Sequence, residues 1–330
     1  MARSAIQLLG TVAAGLVLLL SGLWGAMAIW FRLAPVPSLR EILAGGLLLF
    51  AFSAIVCQAV RRWHLVAVYG VCFAAVLAWW VTLQPSNDRI WADDVARTAS
   101  GTVDGDRLVM RNVRNFVWHS DSNFEPRWET RGYDLKALTS VDLFMSYWAG
   151  ESVAHAIVSF GFADDQHLAF SIEIRKEKTE SYSALAGFFR AYELSFIAAD
   201  ERDVVGVRTN MRGEDVRLYS LRVTPAQARA LLLEYVAEAN ALEQTPRFYN
   251  SLTTNCTTQI FWMVRALQPG LPLDYRVLLA GYVPDYVYDL GRLDTSIPFE
   301  ALRDQSHIRG KADSTDSEFS RKIREGVPAP

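Results

Sequence analysis

The chain has 330 residues, 51% of them hydrophobic, a formal net charge of −3 and three cysteines. A charge so close to zero gives no basic excess that would point to nucleic acid, and three cysteines cannot staple a chain of this length as a disulfide scaffold. The apolar excess lies almost wholly in the first quarter, which predicts a membrane anchor ahead of a globular part.

Ala5 to Phe31, Ile42 to Val60 and Trp63 to Leu83 each come near the roughly 20 residues needed to cross a hydrocarbon core. The first is too long for a signal peptide and lacks a small-residue cleavage pattern. Arg3 precedes it, Arg32 and Arg40 lie between the first and second segments, and Arg61 and Arg62 occupy the tight turn before the third. With the N-terminus inside, three of these charges are inside and two outside. Three crossings then place everything after about Gln84 outside the cytoplasm. In a double-membraned bacterium this is a multi-pass inner-membrane protein with a periplasmic C-terminal domain. The expected division is 1–84 anchor, 85–106 linker, 107–303 domain and 304–330 polar tail.

Pro85-Ser86-Asn87-Asp88 ends the third span, and Ile90 to Ala99 suits a short juxtamembrane helix. Arg107 to Trp118 alternates as a strand does, and Asp142 to Tyr147 suits a strand or sheet edge. Ser152 to Phe162 and Leu168 to Arg175 are strand patterns split by the turn-forming Ala163-Asp164-Asp165-Gln166, the signature of an antiparallel hairpin. Leu194 to Ala198, Val204 to Arg208 and Asp215 to Arg222 give further short strands, the first two flanking the charged turn Asp200-Glu201-Arg202-Asp203. Thr224 and Pro225 then open a helix as cap and first residue. A second helix starts at Cys256 and stops at Pro269-Gly270. Past Ser306 the chain is polar and poor in aromatics, which predicts an extended or disordered tail. No internal repeat is visible. An antiparallel sheet backed by two helices is an α+β architecture.

Cys256 is the cysteine outside the apolar segments; Cys57 and Cys72 lie within them. A thiol in the first turn of a helix meets the positive end of the helix dipole, which favours thiolate. A nucleophilic thiol needs a base and a group that orients the base. Of the five histidines, His64 belongs to the membrane turn, His307 to the edge of the tail, His167 to the hairpin turn and His119 to a loop. His155 begins the apolar strand Ala154 to Phe162 and is the candidate base, against the alternative of a satisfied core histidine. If the hairpin turns around Asp164 and Asp165, Glu173 comes nearly opposite His155. Glu173 is therefore the candidate orienter, against the alternative of a solvated ion pair with Arg175 or Lys176. Should Glu173 point elsewhere, Asn255 or Ser171 takes that place. Asp200 to Asp203 with Glu173, Arg175, Lys176, Glu177 and Lys178 read as a charged sheet face and turn. The spacing of His155, Asp164, Asp165 and His167 fits no standard zinc site, so no metal is expected. The aromatic series Trp118, Phe124, Trp128, Tyr133, Phe144, Tyr147 and Trp148 suits core, or an acyl-binding groove.

Tyr133-Asp134-Leu135, Val141 to Trp148, Ala154-His155 with Ser159 to Phe162, Ile172 to Arg175, Tyr192-Glu193-Leu194, Glu201-Arg202-Asp203, and Tyr249-Asn250 with Asn255 to Thr258 occur in this order. In these motifs the stretch from about Arg111 to Ala280 resembles the Lnb N-terminal periplasmic domain family, which takes its name from a bacterial lipoprotein N-acyltransferase. More remotely, a histidine on a strand ahead of Asn-Cys at a helix start resembles permuted papain-like thiol enzymes such as lecithin:retinol acyltransferase. The resemblance implies a permuted papain-like domain with Cys256 as nucleophile and His155 as base. Asn255, Thr257, Tyr249 and Arg175 are the residues expected to support substrate or oxyanion. It further implies a membrane-anchored thiol acyltransferase that needs no cofactor. Its partners would be membrane phospholipid and an envelope lipoprotein or peptide acceptor. An amidase or peptidase of the cell envelope, or a non-catalytic envelope scaffold, are the alternatives.

Overall fold

The computed structural model describes residues 2–33 and 36–329, with side chains from Ala5 onward, so the side chain of Arg3 lies outside the described residues. The chain forms two compact units, one running to Pro85 and including Ser183–Ala191, the other made of Ser86–Tyr182 and the chain from Tyr192 onward.

The first unit contains α1 (Ala2–Arg32), α2 (Pro37–Ala59) and α3 (Trp63–Thr82). All three are long and apolar enough to cross a membrane. Leucine and valine cover their outward faces, and small residues let the helices approach: a Cβ on Gly22 would come within 2.5 Å of the Ala51 methyl. Polar groups inside the bundle find partners, Ser21 with the Tyr69 hydroxyl at 2.8 Å and the Gln58 amide with the Thr11 carbonyl at 2.8 Å. Ser183–Ala191 was not foreseen as part of this unit. Its Phe189 packs among Trp24, Phe31 and Trp80. The Arg32 guanidinium donates to the Arg190 carbonyl at 2.6 Å, and Arg190 to the Trp80 carbonyl at 3.0 Å.

The second unit is α+β. Its strands are β1 (Ser100–Asp104), β2 (Arg107–Arg114), β3 (Val117–Trp118), β4 (Phe124–Glu125), β5 (Trp128–Asp134), β6 (Leu138–Tyr147), β7 (Ala154–Phe162), β8 (His167–Arg175), β9 (Glu193–Ala199) and β10 (Asp215–Ser220). Eight of them make one sheet in the order β1-β2-β9-β8-β7-β6-β10, with β5 also on β2; β3 and β4 pair separately. The pairing is antiparallel except where Arg114 meets Ala199. The helices are α4 (Glu201–Val204), α5 (Pro225–Gln244), α6 (Cys256–Leu267), α7 (Val283–Asp289), α8 (Phe299–Gln305) and α9 (Phe319–Arg324).

Period-2 alternation gives the sheet two apolar faces, and each is covered. One face, with Leu143, Val158, Phe160 and Phe170, packs on Leu231, Leu232 and Tyr235 of α5 and Met263 of α6. The other, with Phe144, Ile157 and Ile197, packs on Val204, Ile308, Phe319 and Ile323. Thr224 and Pro225 start α5 as expected, through a capping box in which Thr224 accepts from the Gln227 N–H at 3.2 Å and the Gln227 carboxamide accepts from Thr224 N–H at 3.0 Å.

Several expectations are corrected. Ile90 to Ala99 forms only a tight turn at Asp93–Val95, because Trp91 bridges to Glu177 and buries its ring. β1 already lies within the stretch expected to be linker. The Arg107 strand ends at Arg114, since the Asn115 N–H turns to the Arg127 carbonyl. Val204 to Arg208 is not strand: Asp200 caps α4 by accepting from the Arg202 N–H, and Val207–Met211 continues as a wide helical turn. Glu201 and Asp203 are fully buried rather than part of a solvated turn. The tail is folded, with Ile308, Phe319 and Ile323 in the core.

The loop before β7 is held by backbone contact. Gly281 N–H donates to the Ser152 carbonyl at 3.2 Å, the Tyr147 hydroxyl donates to the Gly281 carbonyl at 2.8 Å, and a Cβ at Gly281 would lie 1.8 Å from the Glu151 carbonyl oxygen. Gly281→Ala is expected to destabilise the fold by about 1–3 kcal/mol, read as a lower denaturant midpoint. An unchanged midpoint would show that the loop moves aside freely.

Candidate functional site

Asn255 ends an extended stretch and caps α6: its side-chain oxygen accepts from the Thr258 N–H at 2.9 Å, and the Thr258 hydroxyl accepts from the Asn255 N–H at 2.9 Å. This reciprocal cap makes Cys256 the first residue of the helix. The sulfur thus stands where backbone N–H groups have no partner within the helix and the dipole is positive. Cys256 is a buried free thiol.

The hairpin turns where the sequence places it, and its register pairs Ile157 with Ser171. The ladder stops there. Two residues further, His155 and Glu173 face each other across strands that are no longer paired. Glu173 Oε1 lies 3.3 Å from His155 Nε2, and the Ser171 hydroxyl stands between them, 2.7 Å from Nε2 and 2.6 Å from Oε1. A hydroxyl has one proton, which Ser171 gives to the carboxylate, so Nε2 carries a hydrogen and donates to Ser171. That leaves Nδ1 as the ring nitrogen for the sulfur.

Electrostatics follow from this arrangement. Burial disfavours charge on His155, but the Glu173 carboxylate and the Cys256 thiolate outweigh it and lift the imidazole to about 9. Burial likewise pushes the Cys256 thiol up, but the His155 charge and the Ala156 N–H overcome that and hold it below its usual value. Glu173 is held well below the carboxylate range: burial opposes ionisation, and His155, Arg208 and Ser171 together override it. Each of the three groups therefore favours its charged form more than it would alone: thiolate, imidazolium and carboxylate support one another.

Arg208, missed in the sequence, completes the set. Its guanidinium donates to Glu173 at 3.0 Å and to Glu214 at 3.3 Å, and Glu214 in turn accepts from the Ser146 hydroxyl. A residue read as part of a strand gave no sign of pointing here; only the wide turn Val207–Met211 carries it to the site. Nearby, the buried Asp203 accepts from Arg114 through two nitrogens (2.9 and 3.0 Å), from the Phe116 N–H (2.9 Å) and from the Trp118 indole (2.7 Å). Arg114, Trp118, Arg208 and Glu214 border a cavity of about 410 Å³ that is also lined by Cys256, His155, Glu173, Trp148, Tyr182 and Tyr249.

The remaining expected residues divide. Tyr249 lines the cavity, and its hydroxyl is pushed up first by burial and then by the Cys256 charge. Asn255 is the helix cap. The Thr257 hydroxyl donates to the Val277 carbonyl at 2.7 Å and lies 3.0 Å from the Asn255 side-chain oxygen, which turns it away from the thiol. Arg175 is a correction: it lies over Trp91 and donates to the Val95 and Ala96 carbonyls and to Asn87, so it binds chain rather than substrate. His119 meets Glu125 on the surface at 3.1 Å, and His167 starts β8. Among the described residues no group of His, Cys, Asp and Glu is placed to hold a metal ion. Of the aromatic series, Trp118, Phe124 and Trp128 form a core cluster with Phe116, whereas Trp148 meets Tyr182 edge-on at 5.9 Å at the cavity.

His155→Gln removes the charge that offsets burial of the thiol. Alkylation of Cys256 at pH 7, followed on its tryptic peptide, is expected to slow by about tenfold or more. An unchanged rate would mean that the helix terminus alone ionises the sulfur.

No curated protein and no solved structure matches this chain. Residues 124–281 match the family model described as the Lnb N-terminal periplasmic domain, a segment that spans β4 to the turn before α7 and includes Cys256, His155 and Glu173. The match thus likens residues 124–281, within the unit that follows the three apolar helices, to the Lnb N-terminal periplasmic domain family.

Proposed function

We propose that the protein is a membrane-anchored thiol acyltransferase of permuted papain-like type, held in the bacterial inner membrane by three spans with its catalytic domain in the periplasm. The observation that carries this reading is the geometry: the Cys256 thiol in the first turn of α6 beside the His155 ring, Glu173 3.3 Å behind that ring, and a cavity lined by all three, with the thiol lowered and the imidazole raised by each other. A purely structural cysteine has no use for an ionised partner.

In the proposed reaction the Cys256 thiolate attacks the ester carbonyl of a phospholipid. The C–S bond forms, the ester C–O bond breaks, and the departing alkoxide takes a proton from the His155 imidazolium. Cys256 N–H, unused within the helix, faces the developing oxyanion. An acceptor amine then attacks the thioester, its proton goes to His155, and Cys256 leaves as thiolate. Glu173 and Ser171 keep the ring in the tautomer both steps need. The chain's own groups suffice for this sequence, without a cofactor. Anchoring keeps the enzyme beside a donor that is itself confined to the bilayer, which raises its effective concentration. The acceptor class is an envelope lipoprotein or peptide bearing a free amine.

The test is the full chain in lipid nanodiscs containing phospholipid with an isotopically labelled acyl chain, plus a lipopeptide with a free α-amine. Label is expected on the amine. Label released only as free acid would favour an envelope hydrolase, the amidase or peptidase reading, and no turnover of any ester or amide would leave a scaffold.

A further inference from the structure

A second cavity, of about 460 Å³, lies between β6, β7 and the helices α5, α6 and α7. No residue lines both it and the Cys256 cavity. On α6 its wall is Thr257, Ile260, Phe261, Val264, Leu267 and Gln268, one face of the helix from its first turn to its last. Eleven steps of helical rise make this about 17 Å. The cavity is therefore elongated along α6. At its inner end stand Ala156 and Thr257, the chain neighbours of His155 and Cys256; at its outer end Ala226, Gln227, Leu267 and Gln268 are exposed and Arg292 is half-buried.

Polar groups are confined to that outer end. Inside, the Thr257 hydroxyl is already given to Val277 and the Tyr286 hydroxyl to the Pro272 carbonyl at 2.7 Å. At the mouth, Arg292 donates to the Gln268 carboxamide at 3.1 Å and forms no ion pair among the described residues. Water needs two to four polar partners and finds none along the bore. Its apolar lining gains by being covered, because each area of it removed from water is favourable. The occupant that satisfies both constraints is apolar, linear and polar at one end.

We propose that this cavity binds one unbranched aliphatic chain, with its methyl end against Ala156 and Thr257 and an anionic head at Arg292. The chemistry is shared by a free fatty acid and by one chain of an anionic or zwitterionic lipid. Because the two cavities share no lining residue, this chain is not the acyl group transferred at Cys256. The site stands whether or not Cys256 forms a thioester. A filled cavity braces the first turn of α6 and the start of β7, the two elements that hold thiol and imidazole.

The test uses the full chain carrying Cys256→Ser, in nanodiscs, with palmitic acid that bears a diazirine at the methyl end, and in parallel a phosphatidylethanolamine with the same modified chain. Photolysis is expected to place adducts on the peptides containing Ala156 and Thr257. Added palmitic acid is expected to raise the melting temperature of the domain. Ala230→Trp, which fills the middle of the cavity, should abolish those adducts. Should that variant not fold, Arg292→Glu should reduce capture of the acid and leave capture of a diazirine-bearing alkane unchanged. Labelling by the acid alone, or by the phospholipid alone, supports the site and identifies its source. Adducts confined to α1–α3, or unaffected by these substitutions, would overturn it. Because thioester formation is impossible in this variant, failure here is distinct from failure of the acyl-transfer reading.

Discussion

Cys256→Ser is expected to abolish acyl transfer, by roughly 10³-fold or more, while the denaturant midpoint moves by less than about 1 kcal/mol equivalent. The first effect follows from acidity. His155 and the dipole of α6 bring a thiol below its usual range despite burial, but the same surroundings cannot ionise a hydroxyl. The second follows from what remains. His155 keeps Glu173 at 3.3 Å and Ser171 at 2.7 Å, so no buried charge is left without a partner, and the volume change is small. If activity persisted while stability collapsed, Cys256 would be a packing residue.

The pair also sets how stability depends on pH. In the folded state His155 is raised to about 9 and Cys256 is lowered; on unfolding both return to ordinary values. A raised histidine contributes stability present below its unfolded value and lost as pH rises through about 9. A lowered cysteine contributes stability present above its unfolded value and lost as pH falls through its folded one. Where both groups are shifted the proton moves from sulfur to nitrogen rather than to solvent, so the two slopes oppose each other and the pair changes stability with pH less than either group would alone.

Arg324→Met is expected to destabilise the domain by about 3–5 kcal/mol, the range for removing one partner of a buried ion pair. The Arg324 guanidinium lies 2.7 Å from Asp142 and 2.6 Å from Glu201, carboxylates that are 1% and 0% exposed. Burial opposes ionisation of Glu201, yet Arg324 holds it down to about 2. In the native chain this contribution is full above the ordinary carboxylate value and lost as pH falls through about 2. Without Arg324 the fully buried Glu201 loses the guanidinium that holds it ionised and gains by protonation, so the deficit should shrink as pH falls toward 4. Urea midpoints measured at pH 7 and near pH 4 test this; equal deficits, or none, would place α9 outside the fold's energetics.

These two sites differ in how legible they are in the chain. Asn255-Cys256 and Thr224-Pro225 announce helix starts because a cap is a local bond between residues three apart. The hairpin around Asp164 and Asp165 is equally local, and its register brings Glu173 opposite His155. Arg208 was invisible because its segment alternates as a strand does; it folds helically after the cap at Asp200, beside Asp203, whose partners Arg114 and Trp118 lie some 90 residues earlier. The tail reads as polar because its three core residues, Ile308, Phe319 and Ile323, are widely spaced, and Arg324 finds its carboxylates 182 and 123 residues away. Arg175 shares a strand face with Glu173 by alternation alone, but its long side chain is drawn to carbonyls at Val95 and Ala96. Insertion of Ser183–Ala191 among the membrane helices depends on Phe189 meeting three aromatic rings, a match no local pattern contains.

The central claim is that Cys256 carries an acyl group during turnover. The full chain, incubated with phospholipid and no amine acceptor, quenched in acid and digested, is expected to show the Cys256 peptide heavier by one acyl chain in place of a hydrogen, and to lose that mass in neutral hydroxylamine, as a thioester does. An unmodified Cys256 peptide from protein that turns over the same phospholipid would contradict it.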